Sequence, residues 1–131
     1  MSSAHFLQPL LRRSSTHATL RNVRSGATVA TVLETAFESS ERRRGLLGRD
    51  QLAPGHALII APTNLVHTFA MRFAIDILFV ARDGRVLKVR RAVPPRRIAG
   101  AFGGFAVVEL AAGGTDASQT GAGDLLQIVV V

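Results

Sequence analysis

Three residue types that carry distinctive chemistry are missing from this sequence of 131 residues: cysteine, tryptophan and tyrosine. Without cysteine the chain has no disulfide, no thiolate nucleophile and no thiolate metal site. Lysine is nearly missing too, because every basic side chain except Lys88 is arginine. The lack of disulfides fits a reducing compartment, so we expect a cytoplasmic protein.

Long apolar runs are also missing. The longest, residues 67–80, is interrupted by Arg72 and Asp76, and a membrane span of about 18 uncharged apolar residues is therefore excluded. The hydrophobic fraction of 47% and the charged fraction of 19% are typical of a soluble globular protein. A chain of this length supports one domain with a single core.

The positive charge is concentrated at the start of the chain. The formal net charge is +7, and residues 1–33 contribute four arginines and no acidic residue. Residues 1–17 have no periodic apolar pattern, and their apolar and basic residues are not in the order of a secretory signal. We therefore expect a disordered basic tail over residues 1–17 and a single domain over residues 18–131.

Short alternating or apolar segments predict a β-rich fold. The expected strands are residues 20–24, 28–37, 57–61, 66–71, 75–82, 85–93, 105–110 and 125–131. One short helix should begin near Ser39 or Ser40, since serine caps helices and Glu41 would lie in the first turn. Asp83-Gly84 is a strong hairpin signal. The pattern predicts an α+β, predominantly β domain, either barrel-like or a folded mixed or antiparallel sheet, with seven or eight short strands and one or two short helices.

The central apolar stretch, residues 67–80, is the first candidate for a functional site. A strand, a bend and a second strand could bring His67, Met71, Arg72 and Asp76 together at one end of a sheet. These groups could bind a polar ligand or transfer a proton. In the structural alternative, Asp76 accepts hydrogen bonds from backbone amides of the bend while Arg72 neutralises its charge.

Residues of this stretch and of the predicted strand 105–110 should form the core. Ile77, Phe79 and Val108 are expected to be buried, because they occupy apolar positions of two predicted strands.

Five short motifs can be compared with known families. They are Arg44-Gly-Leu-Leu-Gly-Arg49, His67-Thr-Phe-Ala-Met-Arg-Phe-Ala-Ile-Asp76, Asp83-Gly84, Val108-Glu-Leu-Ala-Ala-Gly113 and Gly123-Asp124. In this order and at this spacing, over roughly residues 28–131, they resemble the DUF192 family, also called UPF0127, of small prokaryotic domains of unknown function. The resemblance implies a compact β-rich α+β domain of bacterial type and brings no established activity.

The resemblance also points to residues outside the central stretch. Family members usually carry a bulky aromatic residue where Ala70 stands and a proline where Ala74 stands. The side chains that form a wall of any shared site should therefore be smaller here. Arg49 and Glu109 recur in the motifs, and either form an ion pair with each other or are two site residues. The candidate ligand-binding residues are Arg49, His67, Thr68, Met71, Arg72, Asp76 and Glu109, and no catalytic residue is assigned.

Several other chemistries lack their usual signals. No pair of histidines has metal-ligand spacing, so neither a metal nor a cofactor is expected. No Gly-x-Ser-x-Gly elbow occurs, and the glycine-rich segments 100–104 and 113–123 lack the lysine of a phosphate loop. Nucleic-acid binding is disfavoured because no tyrosine or tryptophan can stack on bases.

Three functions remain. The preferred one is a monomeric binding module for a polar or acidic small molecule or a partner's peptide, with its site near residues 67–76. The second is an enzyme that uses His67 and Asp76 as a general acid/base pair, which we favour less. The third is a basic accessory protein that contacts nucleic acid through arginines 42–44 and 96–97.

Overall fold

The computed structural model describes residues 4–11, 17–69 and 71–130, which form ten strands and three short helices. In chain order these are α1 Gln8–Leu11, β1 Ala18–Asn22, β2 Thr28–Ala30, β3 Val32–Ala36, α2 Ser39–Arg44, β4 His56–Ile60, β5 Leu65–His67, β6 Ile75–Val80, β7 Val86–Val93, β8 Ile98–Gly100, β9 Ala106–Ala111, α3 Gly114–Ala117 and β10 Leu126–Val130. Among these residues, no helix is long and apolar enough to cross a membrane.

The described strands form three open sheets. The largest has the order β3-β4-β9-β6-β7, in which β3 and β4 are parallel and the other pairs are antiparallel. A three-stranded sheet has the order β10-β1-β2, and β5 pairs with β8 in a two-stranded ribbon. The mostly β, α+β fold expected from the sequence is confirmed as a folded mixed sheet without a closed barrel among the described strands.

Both faces of the three inner strands of the five-stranded sheet, β4, β9 and β6, are buried. Successive side chains of a strand point to opposite faces, and Ile75, Ile77 and Phe79 of β6 accordingly pack in one apolar cluster while Leu78 packs with Val108 in another. We call the two sides the Phe79 face and the Leu78 face. The burial expected for Ile77, Phe79 and Val108 is confirmed, since all three are 0% exposed.

The hairpin between β6 and β7 turns at Asp83-Gly84, as the sequence predicts. Gly84 has a φ of +98°, and a Cβ atom there would clash with the carbonyl oxygen of Leu126. Only glycine fits this position without strain, because it has no Cβ atom.

The start of the chain differs from the expected tail. Residues 4–11 include α1, and Leu7 is only 1% exposed within the apolar cluster of the Leu78 face. The backbone N–H of Phe6 donates to the carbonyl oxygen of Arg82 at 2.8 Å. These residues therefore pack on the domain, whereas residues 1–3 and 12–16 of the expected tail lie outside the described residues.

Other differences explain why ten strands occur where seven or eight were expected. The predicted strand 28–37 is divided at Thr31, and the predicted loop after Val93 contains β8. The strand expected over residues 66–71 is shorter and ends at His67. The glycine-rich segment after β9 contains α3, which the sequence pattern did not predict.

Candidate functional site

Asp76 is fully buried and lies on the Leu78 face, because it precedes Leu78 by two residues on β6. The neighbouring strand β7 contains a bulge. Ile75 pairs with Val93 while Ile77 pairs with Arg90, so β7 has one more residue than β6 between these two pairs. Such a bulge leaves a backbone amide outside the ladder. One carboxylate oxygen of Asp76 accepts a hydrogen bond from the backbone N–H of Ala92, within this bulge, at 2.8 Å.

The other carboxylate oxygen of Asp76 binds the start of α3. It accepts hydrogen bonds from the backbone N–H groups of Gly113 and Thr115 at 3.2 and 3.0 Å and from the Thr115 hydroxyl at 2.7 Å. Burial alone would raise the pKa of Asp76, but these bonds and the one from Ala92 together lower it. Asp76 is therefore a satisfied carboxylate that joins β6, the bulge of β7 and α3.

The donors to Asp76 are not those expected from the sequence. None comes from the bend at residues 72–74, and Arg72 is exposed and paired with Asp50 at 2.7 Å. Arg72 therefore lies outside the surroundings of Asp76, and the ion pair expected between the two is not formed.

Thr68 is buried at 1% exposure and joins two segments of backbone. Its hydroxyl donates to the carbonyl oxygen of Pro94 at 2.7 Å and accepts from the backbone N–H of Arg97 at 2.9 Å. Thr68 therefore holds the turn after β5 against the segment that precedes β8, and its hydroxyl is fully used.

Arg49 bonds both carboxylate oxygens of Glu34, at 2.6 and 3.0 Å. This bidentate pair connects the turn after α2 to β3. The ion pair between Arg49 and Glu109 that was one of the two expectations is therefore not formed.

The remaining three candidates, His67, Met71 and Glu109, line one cleft, which we call the Glu109 cleft. Its volume is about 120 Å³, and its walls also include arginines 42–44, the turn of residues 45–47 and parts of β4 and β5. The site therefore lies on the Phe79 face, because Glu109 alternates with Val108 along β9 and pairs across the sheet with Ile77.

Glu109 is buried and has no hydrogen-bond partner among the residues that the structure describes. The residue is 3% exposed, and no described residue forms a hydrogen bond or an ion pair with its carboxylate. The carboxylate is not sealed off, since no side-chain polar atom in the described ranges is both fully buried and unbonded. Burial raises the pKa of Glu109 to about 7. The carboxyl group can therefore gain or lose a proton near neutral pH.

The mouth of the cleft is positively charged. Arg42 uses its guanidinium to bond the carbonyl oxygen of Phe37 and the hydroxyl of Ser39. Arg43 and Arg44 are exposed and form no hydrogen bond or ion pair with other described side chains. Two cations are thus available to a ligand entering the cleft.

Two features of this site were not predicted from the sequence. Arginines 42–44 were considered only as a possible nucleic-acid contact, although they line the cleft. Asp76 was grouped with His67 because the two are close in the chain. In the structure His67 lines the cleft with Glu109, whereas Asp76 lies on the opposite face of the sheet. The sequence signal that did point to this site was a single glutamate, Glu109, inside the apolar strand Val107-Val-Glu-Leu110.

The family comparison agrees with the motifs. The DUF192 family model, described as an uncharacterized ACR, matches residues 21–128. This chain belongs to the DUF192 family. The chain has no significant match among curated proteins.

Two crystal structures share the fold of this DUF192 domain. A protein of unknown function from Novosphingobium aromaticivorans DSM 12444 is 24% identical, with a TM-score of 0.73 over 85% of this chain and 83% of that one. A "putative transcription regulator" from Sinorhizobium meliloti 1021 is 23% identical, with a TM-score of 0.74 over 97% of each chain. At these identities the likeness shows the fold alone.

Proposed function

We propose that this DUF192 domain is a small-molecule binding module in which Glu109 recognises the ligand. The observation that carries the proposal is a buried carboxyl group with no described donor, reachable through a cleft. The carboxylate oxygens are not sealed off from the cleft, so a ligand can reach them. A donor group on the ligand would form a charge-assisted hydrogen bond with Glu109 that no residue of the described ranges forms.

The cleft favours a ligand with two different polar ends. An amine or hydroxyl group suits Glu109, and an acidic group suits Arg43 and Arg44 at the mouth. The cleft volume of about 120 Å³ is close to that of cavities of about 150 Å³ that bind benzene. The part of the ligand that enters therefore has a handful of non-hydrogen atoms, whether it belongs to a free molecule or to a partner's peptide.

The candidate residues take different roles in this proposal. His67, Met71 and Glu109 contact the ligand, whereas Thr68 and Asp76 hold the strands that form the walls. We further propose a monomer in the bacterial cytoplasm, on the basis of the cysteine-free sequence and the prokaryotic family.

General acid/base catalysis is a second candidate, favoured by the pKa of about 7 of Glu109. A group with a pKa near the working pH is suited to proton transfer. Glu109 replaces Asp76 in this proposal, because Glu109 and His67 line the same cleft while Asp76 lies on the other face. Turnover of a bound compound, rather than binding alone, is the readout that separates the two functions.

Nucleic-acid binding gains little support. The description of the Sinorhizobium meliloti protein concerns that protein, and an identity of 23% carries the fold only. Arginines 42–44 line the cleft, so a small acidic ligand is a simpler partner for them.

The test is a ligand screen by amide NMR with small amines, amino acids and hydroxy acids. A ligand of the cleft should shift the amide signals of residues 45–47 and 65–67, and Glu109→Gln should abolish the shifts. Asp116→Asn is the control, since it neutralises an exposed carboxylate of α3 that lies outside the cleft. A screen without any cleft ligand, or a ligand that binds Glu109→Gln unchanged, contradicts the proposal.

A further inference from the structure

The ribbon of β5 and β8 has one buried and one exposed side. Val66 pairs with Ala99, and both pack against the apolar cluster of the Phe79 face. Leu65 and Ile98, one position along each strand, therefore point outward. They are 58% and 62% exposed, which is unusual for large apolar residues on ordered strands.

Two phenylalanines extend this exposed apolar area. Phe69, in the turn after β5, is 45% exposed and contacts the ring of His67. Phe102, in the loop after β8, is completely exposed. We call Leu65, Phe69, Ile98 and Phe102 together the ribbon patch.

The loop that carries Phe102 is held by specific bonds. The Lys88 ammonium donates to the carbonyl oxygen of Gly100 at 2.9 Å, and the backbone N–H of Ala101 donates to the carbonyl oxygen of Asn64 at 3.0 Å. Gly100 has no side chain, and a Cβ atom there would lie only 3.0 Å from Leu65. These bonds connect the loop to β7 and to the residue that precedes β5, and this arrangement presents Phe102 to solvent.

The surroundings of the ribbon patch are basic. Arg96 and Arg97 are exposed and directly precede Ile98, and residues 94–105 contain no acidic residue. The ribbon patch also borders the positively charged mouth of the Glu109 cleft, because Leu65 and His67 line that cleft. A surface that combines projecting apolar side chains with unopposed arginines complements a negatively charged partner.

We propose that the ribbon patch docks on an anionic lipid surface. Phe102 projects outward on its loop, so a protein partner would need a matching pocket, whereas a lipid interface accepts projecting apolar side chains without one. Arginines beside the apolar side chains remain at the level of the anionic headgroups and attract them. Docking would bring the mouth of the Glu109 cleft to the membrane surface.

The experiment is flotation of the full chain with vesicles made of equal parts phosphatidylglycerol and phosphatidylcholine, compared with vesicles of phosphatidylcholine alone. We expect co-flotation with the anionic vesicles, weakening as salt screens the arginines. Phe102→Ser should reduce partitioning about tenfold or more, because it removes one inserted aromatic side chain. Val23→Ser, at an apolar residue that is 43% exposed in the turn between β1 and β2, should leave partitioning unchanged.

The charge requirement is tested by replacing Arg96 and Arg97 together with glutamine, which should weaken binding to anionic vesicles while Phe102 remains. Three outcomes overturn the proposal: no co-flotation, equal co-flotation with both kinds of vesicle, or equal effects of Phe102→Ser and Val23→Ser. The first would leave a protein as the partner of the patch. None of these outcomes depends on a ligand in the Glu109 cleft, so docking and ligand binding can fail separately.

Discussion

Asp76 and Glu109 are both buried carboxylic acids of the five-stranded sheet, and they lie on its opposite faces. Asp76 accepts four hydrogen bonds, which lower its pKa despite its burial. Glu109 receives none from the described residues, and burial raises its pKa to about 7. Burial alone therefore does not identify a functional group in this fold. The supply of donors separates a carboxylate that holds the structure from one that is left for a ligand.

The position of each acid in the sheet explains the difference. Asp76 lies beside a bulge of β7 and the start of α3, two places where backbone amides lack ladder partners. Glu109 lies on a central strand between β4 and β6, where neighbouring amides are used in the ladders. Only the cleft remains open to its side chain.

The largest expected effect is on stability. Asp76→Ala leaves four donors without their acceptor, two of them on the buried Thr115, and should lower the free energy of unfolding by about 3 kcal/mol. Urea denaturation measures this change. Asp116→Ala is the control, because Asp116 is an exposed aspartate of α3 and its loss should have a small effect. If Asp76→Ala and Asp116→Ala unfolded at similar urea concentrations, Asp76 would not have the structural role that distinguishes it from Glu109.

The two acids should give opposite pH dependence. The unfolded chain releases the Glu109 proton near pH 4.5 and the folded chain near pH 7, so stability should fall by roughly 3 kcal/mol as the pH rises between these values and then level off. Glu109→Gln should remove this fall. The pKa of Asp76 is lowered in the folded state, so its contribution is complete above its ordinary value of 3.8 and is lost at lower pH. Identical pH profiles of wild type and Glu109→Gln would contradict the assignment.

Glu109→Leu should stabilise the protein at pH 8. This change replaces a charged, unpaired group with an apolar side chain of similar size, and we expect a gain of about 1–3 kcal/mol. The same variant should lose any ligand of the cleft, since function can be maintained at the expense of stability. Thermal unfolding and the NMR screen measure the two effects, and a marked loss of stability would indicate a structural role for Glu109.

Arg72→Ala should have the smallest effect, below about 0.5 kcal/mol, because its ion pair with Asp50 is exposed. Combined with Asp76→Ala, its effect should be additive, since the two side chains share no partner. A coupling energy of about 1 kcal/mol or more would instead support the pairing of Arg72 with Asp76 that the sequence suggested.

Local patterns predicted much of the fold. Alternating apolar residues located most strands, Asp83-Gly84 located the hairpin, and Ile77 and Phe79 were correctly placed in the core. The ribbon was missed because β8 contains a glycine and follows two prolines and two arginines, which together are typical of a loop. Leu7 was missed because a single apolar anchor produces no periodic pattern.

The site was predicted only in part, because it depends on long-range pairing. The sequence indicated His67, Met71 and Glu109, but it could not show that they share a cleft. The donors of Asp76 come from Ala92 and from residues 113–115, far along the chain, and are brought near by the register of β6, β7 and β9. Arg49, in the turn after α2, likewise bonds Glu34 of β3 through a contact that no short-range pattern in the sequence predicts.

The contrast between the two acids is tested most directly by a carbon-13 NMR titration of the side-chain carboxyl groups of Asp76 and Glu109 in the wild-type protein. We expect a midpoint near pH 7 for Glu109 and a midpoint below 3.8 for Asp76. A Glu109 midpoint near its ordinary value of 4.5 would mean that its carboxylate is solvated or bonded, and would contradict the claim that it is held for a ligand.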